Sequence, residues 1–318
     1  MNPIYITRQI PQAGLDVLRE QGGAFDINQD DHPLTKAELK AAVKGRSAIM
    51  CLLTDTIDGE VLDAAGTQLK VVANVAVGYN NIDVNAAKAR NVIVTNTPGV
   101  LTDATADCAW ALLMASARRL GESERVLRAG KWPGWGILQF LGQEIAGRTL
   151  GIVGAGRIGY AVGRRARGFD MKLLYTARTP KPDMDSVGAK HVDLETCLRQ
   201  SDFVSLHVPL TAETKHLIGK RQLEMMKPTA HLINTARGPV VDEAALVEAL
   251  KTKRIAGAGL DVYEEEPKIH PGLLECENAV LAPHIGSATT ETRGKMATMA
   301  AQNVAAVLKG QKPLNPVL

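Results

Sequence analysis

The chain has 318 residues, 45% of them hydrophobic and 22% charged, with a formal net charge of +3 at pH 7. This length exceeds what one hydrophobic core usually serves, so two domains are expected. The composition is typical of a soluble globular protein, and without a dense Lys/Arg block neither nucleic acid nor an anionic membrane is indicated as a partner. No run of about 18 apolar residues is present, so no membrane span is predicted.

The N-terminal segment and the cysteines indicate a cytoplasmic protein. Residues 1–5 lack the basic and long apolar segments of a signal peptide. Cys51, Cys108, Cys197 and Cys276 are widely separated and form no Cys-x-x-Cys pair. We therefore expect buried or idle thiols in a reducing compartment, with no metal site and no disulfide.

The first hundred residues alternate short apolar runs with helix-like segments. The pattern predicts strands at 4–6, 48–53, 71–77 and 92–94, and helices at 12–20, 36–43, 60–65 and 83–88. Such alternation is typical of a parallel sheet covered by helices on both faces, which is an α/β fold.

A Gly-Tyr-Asn-Asn turn follows the strand predicted at 71–77. Val77 and Gly78 lie at the carboxyl end of that strand, where open α/β sheets bind ligands, so their backbone N–H groups are candidates for a substrate carboxylate. A plain Gly-Asn turn without a ligand explains the same residues.

The segment that follows indicates a change of structural unit. Residues 96–99, Asn-Thr-Pro-Gly, precede a helix predicted at 104–120, and a Pro-Gly pair in this position is typical of a hinge. Thr105 in the first turn of that helix is a candidate donor to a cofactor phosphate, although such a residue often only caps the helix. The loop 130–136 contains Trp132 and Trp135, and aromatic loops of this kind usually pack an interface or cover a pocket.

Residues 149–178 predict a strand, a glycine turn, a helix and a second strand. In the motif Gly-x-Gly-x-x-Gly, Gly154 permits the turn, Gly156 admits a pyrophosphate and Gly159 lets the helix lie close to the sheet. The pyrophosphate would lie at the positive end of the helix dipole, beside Arg157 and Ile158. The alternative is a glycine-rich turn that binds nothing.

The end of the second strand favours NADP(H) over NAD(H). An NAD site usually has an acidic residue about 20 residues after the glycines, and none is present here. Thr176, Arg178 and Thr179, with Lys181 beyond them, suit a ribose 2′-phosphate through charge-assisted hydrogen bonds. The alternative is that Arg178 and Lys181 are ordinary solvated loop charges, in which case NAD would be the cofactor.

The remaining strands extend the dinucleotide sheet. They are predicted at 203–208, 231–234, 257–262 and 279–282, and a last helix at 289–309 is predicted to return to the first domain. We therefore assign residues 1–99 and 287–318 to a substrate domain and residues 100–286 to a dinucleotide-binding domain.

Arg237, Glu266 and His284 follow three of these strands and together suit hydride reduction of a 2-oxo acid. A guanidinium can bind the carboxylate and polarise the carbonyl, a histidinium can protonate the developing alkoxide, and a carboxylate can orient that histidine. Each residue alone has an ordinary structural explanation, such as an ion pair, a packed histidine or a solvated acid.

The chain resembles the D-isomer-specific 2-hydroxyacid dehydrogenases over essentially its whole length. The motifs that carry the resemblance are Val77-Gly78-Tyr79-Asn80-Asn81-Ile82-Asp83, Asn96-Thr97-Pro98, the glycine motif, Leu206-His207-Val208-Pro209-Leu210-Thr211, Asn234-Thr235-Ala236-Arg237-Gly238, Gly259-Leu260-Asp261-Val262 and Pro283-His284-Ile285-Gly286.

The resemblance implies roles for these residues. Arg237, Glu266 and His284 would be the catalytic set, and Asp261 would meet the nicotinamide amide. The further residues implied along the cofactor are Thr105, His207, Pro209, Thr235 and Gly286, and those implied at the substrate are Leu53, Val77, Gly78 and Trp135.

Within the family, the chain is most similar to the glyoxylate/hydroxypyruvate reductases, close to the 2-ketogluconate reductases. The segments 52–55, 135–142 and 174–178 carry this similarity. In such enzymes the residue matching Trp135 reaches a neighbouring active site, which implies a homodimer. The expected fold is a flavodoxin-like substrate domain and a Rossmann domain with the active site in the cleft between them.

Other functions remain as alternatives. A 2-ketogluconate reductase or another D-2-hydroxyacid dehydrogenase would retain the same catalytic set. A dinucleotide-sensing protein without activity could also retain it, because the family resembles corepressors that keep much of the site. A formate dehydrogenase fits less well, since its reaction has no carbonyl oxygen to protonate.

Overall fold

Two parallel β-sheets organise the computed structural model, which describes residues 3–317. The strands are β1 Ile4–Ile6, β2 Phe25–Ile27, β3 Ala48–Cys51, β4 Val71–Asn74, β5 Ile93–Thr95, β6 Thr149–Val153, β7 Lys172–Thr176, β8 Lys190–His191, β9 Phe203–Leu206, β10 His231–Asn234, β11 Gly257–Leu260 and β12 Ala279–Leu281. The helices are α1 Gln12–Glu20, α2 Lys36–Val43, α3 Gly59–Ala65, α4 Val84–Ala89, α5 Thr102–Ala117, α6 Leu120–Arg128, α7 Arg157–Ala166, α8 Pro182–Ser186, α9 Leu194–Gln200, α10 Lys220–Met225, α11 Glu243–Lys251, α12 Pro271–Leu274 and α13 Thr290–Leu308.

The described residues divide into two compact units. Unit 1 comprises the residues up to Leu101 together with those from Ala288 onward, and unit 2 spans Thr102–Ser287. Each unit contains one of the sheets, so the fold is α/β with two Rossmann-like domains, as the strand and helix alternation predicts.

Unit 1 is built on a sheet with strand order β2-β1-β3-β4-β5, all parallel. Strands β3 and β4 are buried along their whole length, since apolar runs without alternation suit a sheet covered on both faces. Helix α13 packs on α1, where a Cβ added to Gly14 would lie 2.8 Å from the Cβ of Ala297. The last helix thus belongs to unit 1, as predicted from the sequence.

Unit 2 is built on a seven-stranded parallel sheet with order β12-β11-β10-β9-β6-β7-β8. From β6 the chain runs outward through β7 and β8, and then returns to the other side of β6 with β9. The strand order therefore reverses at β6, and such a switch point is where open α/β sheets bind ligands at the carboxyl ends of their strands.

The predicted elements differ from the structure at a few places. The helix predicted at 104–120 ends at Ala117, because Arg119 adopts a left-handed conformation (φ 52°) and a separate helix α6 follows. The strand predicted at 71–77 ends at Asn74, whose side-chain amide donates to the Gly78 carbonyl and turns the chain. Strands β2 and β8 were not predicted, since three and two residues are too short to show a period.

The described helices do not include one that is long and apolar enough to cross a membrane. Cys51, Cys197 and Cys276 are buried free thiols, as predicted, and Cys108 is a half-buried one.

Candidate active site

The glycine turn between β6 and α7 contains two glycines that the fold itself requires. Gly154 has φ 100°, and a Cβ there would lie 2.6 Å from the carbonyl carbon of His207. A Cβ on Gly159 would lie 2.2 Å from the Gly154 carbonyl oxygen. Since both contacts are with backbone, which cannot move aside as a side chain can, larger residues are excluded at these positions.

Gly156 differs, because no contact and no backbone angle in the described protein requires a glycine at this position. A Cβ there would have no neighbour within 4 Å, and φ is −82°, which any residue adopts. Gly156 is the N-cap of α7, with no side-chain cap, and it is exposed together with Arg157, while Ile158 is half-buried. The uncapped N–H groups of a helix attract anions, so the open space beside Gly156 fits the pyrophosphate of a dinucleotide.

The loop after β7 is held by one tyrosine. The Tyr175 hydroxyl accepts a hydrogen bond from the Lys181 N–H at 2.8 Å and donates to Asp185 at 3.3 Å. Arg178 and Thr179 between them are exposed, and Thr176 is half-buried. Within residues 3–317 the Arg178 guanidinium has no hydrogen bond or ion pair, so it is available to a ligand.

A nearby carboxylate feels the Arg178 charge only weakly. The pKa of Glu213 is lowered mainly by a hydrogen bond from the Thr211 hydroxyl, and Arg178 makes the smallest of the contributions. No acidic partner therefore competes strongly for this guanidinium within the described chain.

His207 extends the pairing of β9 with β6, because its N–H donates to the Val153 carbonyl at 2.7 Å. The ring Nε2 lies 2.8 Å from the Ser205 hydroxyl, and desolvation lowers the pKa of His207 to about 3. The imidazole is therefore neutral at pH 7. Pro209 beyond it is exposed.

The turn after β10 is built by a buried asparagine. The Asn234 side chain accepts from the Ala236 N–H at 3.0 Å and donates to the Arg237 carbonyl at 3.0 Å. Between them, Thr235 is buried and its hydroxyl has no partner among the described residues. An unpaired buried hydroxyl costs free energy unless a ligand or water satisfies it, which supports the predicted cofactor contact.

Arg237 comes next in this turn, and its guanidinium donates to the Ala236 carbonyl at 2.7 Å. Burial lowers its pKa, and the Glu266 carboxylate opposes that change. An arginine remains charged even so, since its ordinary pKa is far above neutral.

Gly238 brings the Arg237 turn against the loop that carries Glu266. A Cβ on Gly238 would lie 1.8 Å from the Tyr263 carbonyl oxygen, so the two backbones touch. The glycine that follows Arg237 in the sequence motif is thus explained by this close approach.

Glu266 and His284 form a hydrogen-bonded pair, with 2.8 Å between Glu266 Oε2 and His284 Nδ1. The other carboxylate oxygen accepts from the Tyr263 N–H at 3.0 Å. Partial burial raises the pKa of Glu266, but the hydrogen bond and charge of His284, the Tyr263 N–H and Arg237 together hold it below its ordinary value. Glu266 is therefore an anion at neutral pH.

The ring nitrogen of His284 that is available for proton transfer is Nε2, because Nδ1 is paired with Glu266. His284 has φ 55°, and its Nε2 has no hydrogen bond to the rest of the described chain. A histidine held through Nδ1 by a carboxylate presents Nε2 for proton transfer.

Asp261 holds the loop that carries His284. Its two oxygens accept from the N–H groups of Ile285 at 2.6 Å and Gly286 at 2.7 Å. The residue is buried, which raises its pKa, while those two donors lower it. A Cβ on Gly286 would lie 3.0 Å from Asp261 Oδ2 and 3.5 Å from the Thr105 methyl group, so these three predicted residues lie together.

The structural role of Asp261 was not predicted from the sequence. Both of its oxygens accept these backbone hydrogen bonds. Its contact with the nicotinamide amide stays a prediction. Tyr263 was also missed, although its hydroxyl donates to the Ala282 carbonyl at 2.9 Å and so braces the segment before His284.

The predicted substrate residues of unit 1 lie on loops braced by amide side chains. Asn96 donates to the Val77 carbonyl at 2.7 Å, and Asn81 donates to the Leu52 carbonyl at 3.0 Å, next to Leu53. In the described chain, the N–H groups of Val77 and Gly78 donate to no protein acceptor. These two N–H groups suit an anion, whereas a turn that binds nothing would leave both without a protein acceptor.

The loop that precedes β6 in unit 2 is unusually apolar for an exposed segment. Trp135 is 80% exposed. The other exposed apolar residues of the loop are Trp132, Ile137, Leu138 and Leu141.

No group of His, Cys, Asp and Glu in residues 3–317 is arranged to hold a metal ion.

Comparison with known proteins identifies the family. The model of the D-isomer specific 2-hydroxyacid dehydrogenase NAD-binding domain matches residues 110–286. The chain belongs to this family. It is accordingly an oxidoreductase with an NAD-binding Rossmann domain in unit 2.

Relatives resemble this dehydrogenase over its full length. A glyoxylate reductase of Thermococcus litoralis is 51% identical, over 99% of this chain and 96% of its own. A crystal structure of a Thermus thermophilus protein has a TM-score of 0.93 at 46% identity, covering 99% of both chains. An NADPH-dependent glyoxylate/hydroxypyruvate reductase of Sinorhizobium meliloti, in complex with NADP and malonate, has a TM-score of 0.86 at 35% identity, covering 100% of this chain and 97% of its own.

Proposed function

We propose that this dehydrogenase reduces small 2-oxo acids with NADPH, converting glyoxylate to glycolate and hydroxypyruvate to D-glycerate. The observation that carries the proposal is the Glu266–His284 pair at 2.8 Å, in which Glu266 lies on a loop that touches the Arg237 turn. The names of the Thermococcus and Sinorhizobium relatives support the choice of substrates.

The proton would come from His284. When bound, the dinucleotide would supply the hydride that reduces C2 of the substrate. His284 Nε2 would donate its proton to the carbonyl oxygen, so that the 2-oxo acid gains one hydride and one proton and becomes a 2-hydroxy acid. Glu266, an anion paired with Nδ1, would stabilise the imidazolium before transfer and orient the ring.

The substrate carboxylate would be bound by cationic and N–H groups. A guanidinium such as that of Arg237 can bind a carboxylate and polarise the adjacent carbonyl. On unit 1, the N–H groups of Val77 and Gly78 are further candidates, because they have no acceptor in the described chain. Leu53 would contribute to selection by substrate size.

The preference for NADPH would rest on the loop after β7. Arg178 is exposed and without a hydrogen bond or ion pair in the described chain, and Thr176 and Thr179 flank it. A guanidinium and hydroxyl groups bind a 2′-phosphate, whereas an acidic residue that would prefer a 2′-hydroxyl is missing from this loop.

We also propose that the enzyme is a homodimer formed through the apolar loop around Trp135. An apolar segment with this exposure is typical of a protein interface. The variant Trp135→Ala is expected to weaken the dimer, and sedimentation velocity over a range of protein concentrations measures the effect. A wild-type protein that is monomeric at every concentration would contradict the proposal.

The experiment that tests the activity is steady-state reduction of three acids, each with NADPH and with NADH. Turnover of glyoxylate and hydroxypyruvate with NADPH is expected to exceed turnover of 2-ketogluconate and turnover with NADH. A preference for 2-ketogluconate would reassign the substrate, and equal use of NADH would remove the role of Arg178. Absence of turnover with every pair would overturn the enzymatic proposal.

A further inference from the structure

The run Glu264-Glu265-Glu266 contains three identical residues in three environments. Glu266 pairs with His284. Glu265 is exposed, and its side chain has no hydrogen bond in the described chain. Glu264 is half-buried and joined to two other segments, so it is neither solvated nor part of the acid–base pair.

Glu264 is bound to the start of helix α11 by two reciprocal hydrogen bonds. Its N–H donates to Glu243 Oε1 at 2.6 Å, and its own Oε2 accepts from the Glu243 N–H at 3.1 Å. Glu243 is only 5% exposed. A buried carboxylate is costly unless it has a partner, and here the backbone of the Glu264 loop is that partner.

The other oxygen of the Glu264 carboxylate pairs with His216. His216 is itself anchored, because its N–H donates to the Pro239 carbonyl at 2.8 Å and Ile218 pairs with Val241. Two carboxylates thus meet in this cluster, and the His216 ring pairs with the one that belongs to Glu264.

The contacts of Glu264 hold this loop, and the loop in turn affects the positions of Glu266, His284 and Arg237. Tyr263, next to Glu264, donates its N–H to Glu266 and its hydroxyl to the Ala282 carbonyl, two residues before His284. The backbone at Tyr263 and Glu264 also meets Gly238, the neighbour of Arg237. A shift of the loop would therefore move Glu266, the segment before His284 and the Arg237 turn together.

We propose that Glu264 is a positioning residue for the reaction. Its hydrogen bonds to Glu243 and its pairing with His216 hold the loop so that Glu266 keeps His284 oriented for proton transfer. This inference rests on the proposed function, because it assumes that the Glu266–His284 pair does the acid–base chemistry. Small displacements of a catalytic pair lower turnover while leaving cofactor binding unchanged.

The test compares Glu264→Ala, Glu264→Gln and the matched control Glu265→Gln in glyoxylate reduction. Glu264→Ala is expected to lower kcat about 10- to 100-fold with an unchanged KM for NADPH. Glu264→Gln keeps an oxygen that can accept from the Glu243 N–H, so it is expected to recover kcat to within about threefold of wild type. Glu265→Gln is expected to match wild type.

A double-mutant cycle with Glu266→Gln distinguishes positioning from a general loss of structure. If Glu264 acts mainly through Glu266, adding Glu264→Ala to Glu266→Gln should lower kcat by much less than Glu264→Ala does in the wild-type protein. If Glu264→Ala does not fold, Glu264→Asp takes its place, because it keeps the charge but withdraws the carboxylate from Glu243. Thermal unfolding of each variant confirms that it is folded.

Three results would overturn the inference. They are wild-type kcat in Glu264→Ala, a loss in Glu265→Gln equal to that in Glu264→Ala, and a full additive loss in the double variant. In each of these cases a low kcat in Glu266→Gln alone would still support the proposed function. Wild-type kcat in Glu266→Gln would instead reject the catalytic pair, and the inference with it.

Discussion

In unit 2, the glycine turn and the loops that carry Arg237, Glu266 and His284, called the acid–base loops below, are held in place by different kinds of contact. The turn uses residues 154–159, and its two required glycines are determined by contacts with nearby backbone. The acid–base loops join residues from 237 to 286 through hydrogen bonds between side chains and the backbone of other loops. A local motif can be recognised in a sequence, whereas an assembled site depends on which loops meet.

The largest effect is expected at the assembled site. The variant His284→Ala should lower kcat for glyoxylate about 100- to 10,000-fold, because it removes the proposed proton donor. NADPH binding, measured by fluorescence titration, should remain close to wild type. Near-normal turnover in this variant would show that another group supplies the proton.

The glycine turn is next, and its two kinds of glycine should behave differently. Gly156→Ala should leave the midpoint of thermal unfolding unchanged, since its Cβ meets no protein atom. It should raise the Kd for NADPH about tenfold, equal to ~1.4 kcal/mol, because the methyl group occupies space needed by the pyrophosphate. Gly159→Ala is the comparison, and it should lower the unfolding midpoint because its Cβ would lie 2.2 Å from a carbonyl oxygen. Unchanged cofactor binding by Gly156→Ala would place the pyrophosphate elsewhere.

A smaller and more selective effect is expected in the loop after β7. Arg178→Ala should raise KM for NADPH about tenfold and leave KM for NADH unchanged, since only the 2′-phosphate would lose a charged hydrogen bond. Lys172→Ala is a suitable control, because this exposed cation lies at the opposite end of β7. Equal changes with both dinucleotides would contradict a role in discrimination.

The smallest effect concerns acid stability. The pKa of Glu266 lies below the ordinary value of 4.5, because the pairing with His284 and the other contacts outweigh burial. Its stabilising contribution is therefore present above pH 4.5 and is lost as the pH falls through the lowered pKa. Glu266→Gln should remove this contribution, which amounts to less than about 1 kcal/mol of the free energy of unfolding for a partly exposed pair. Chemical unfolding at pH 7 and below pH 4 measures it, and an unchanged pH dependence would argue against the pair as a source of stability.

The sequence alone determined most of the fold, because buried parallel strands and amphipathic helices each leave a local pattern. The strands at 4–6 and 231–234 and the helices at 12–20 and 36–43 agree with the structure to the residue. The missed elements were short, as with β2 and β8, or followed a break with no local signal, as with α6 after Arg119.

The sequence also suggests the candidate residues Arg237, Glu266 and His284, since they follow strands in a recognisable motif order. Only the tertiary structure decided how they are held. The run of three glutamates does not show that Glu264 holds the start of α11, because its partners Glu243 and His216 lie about 20 to 50 residues away in the sequence. The same reason applies to Asp261, whose two acceptors are used by a loop that meets it only in the folded protein.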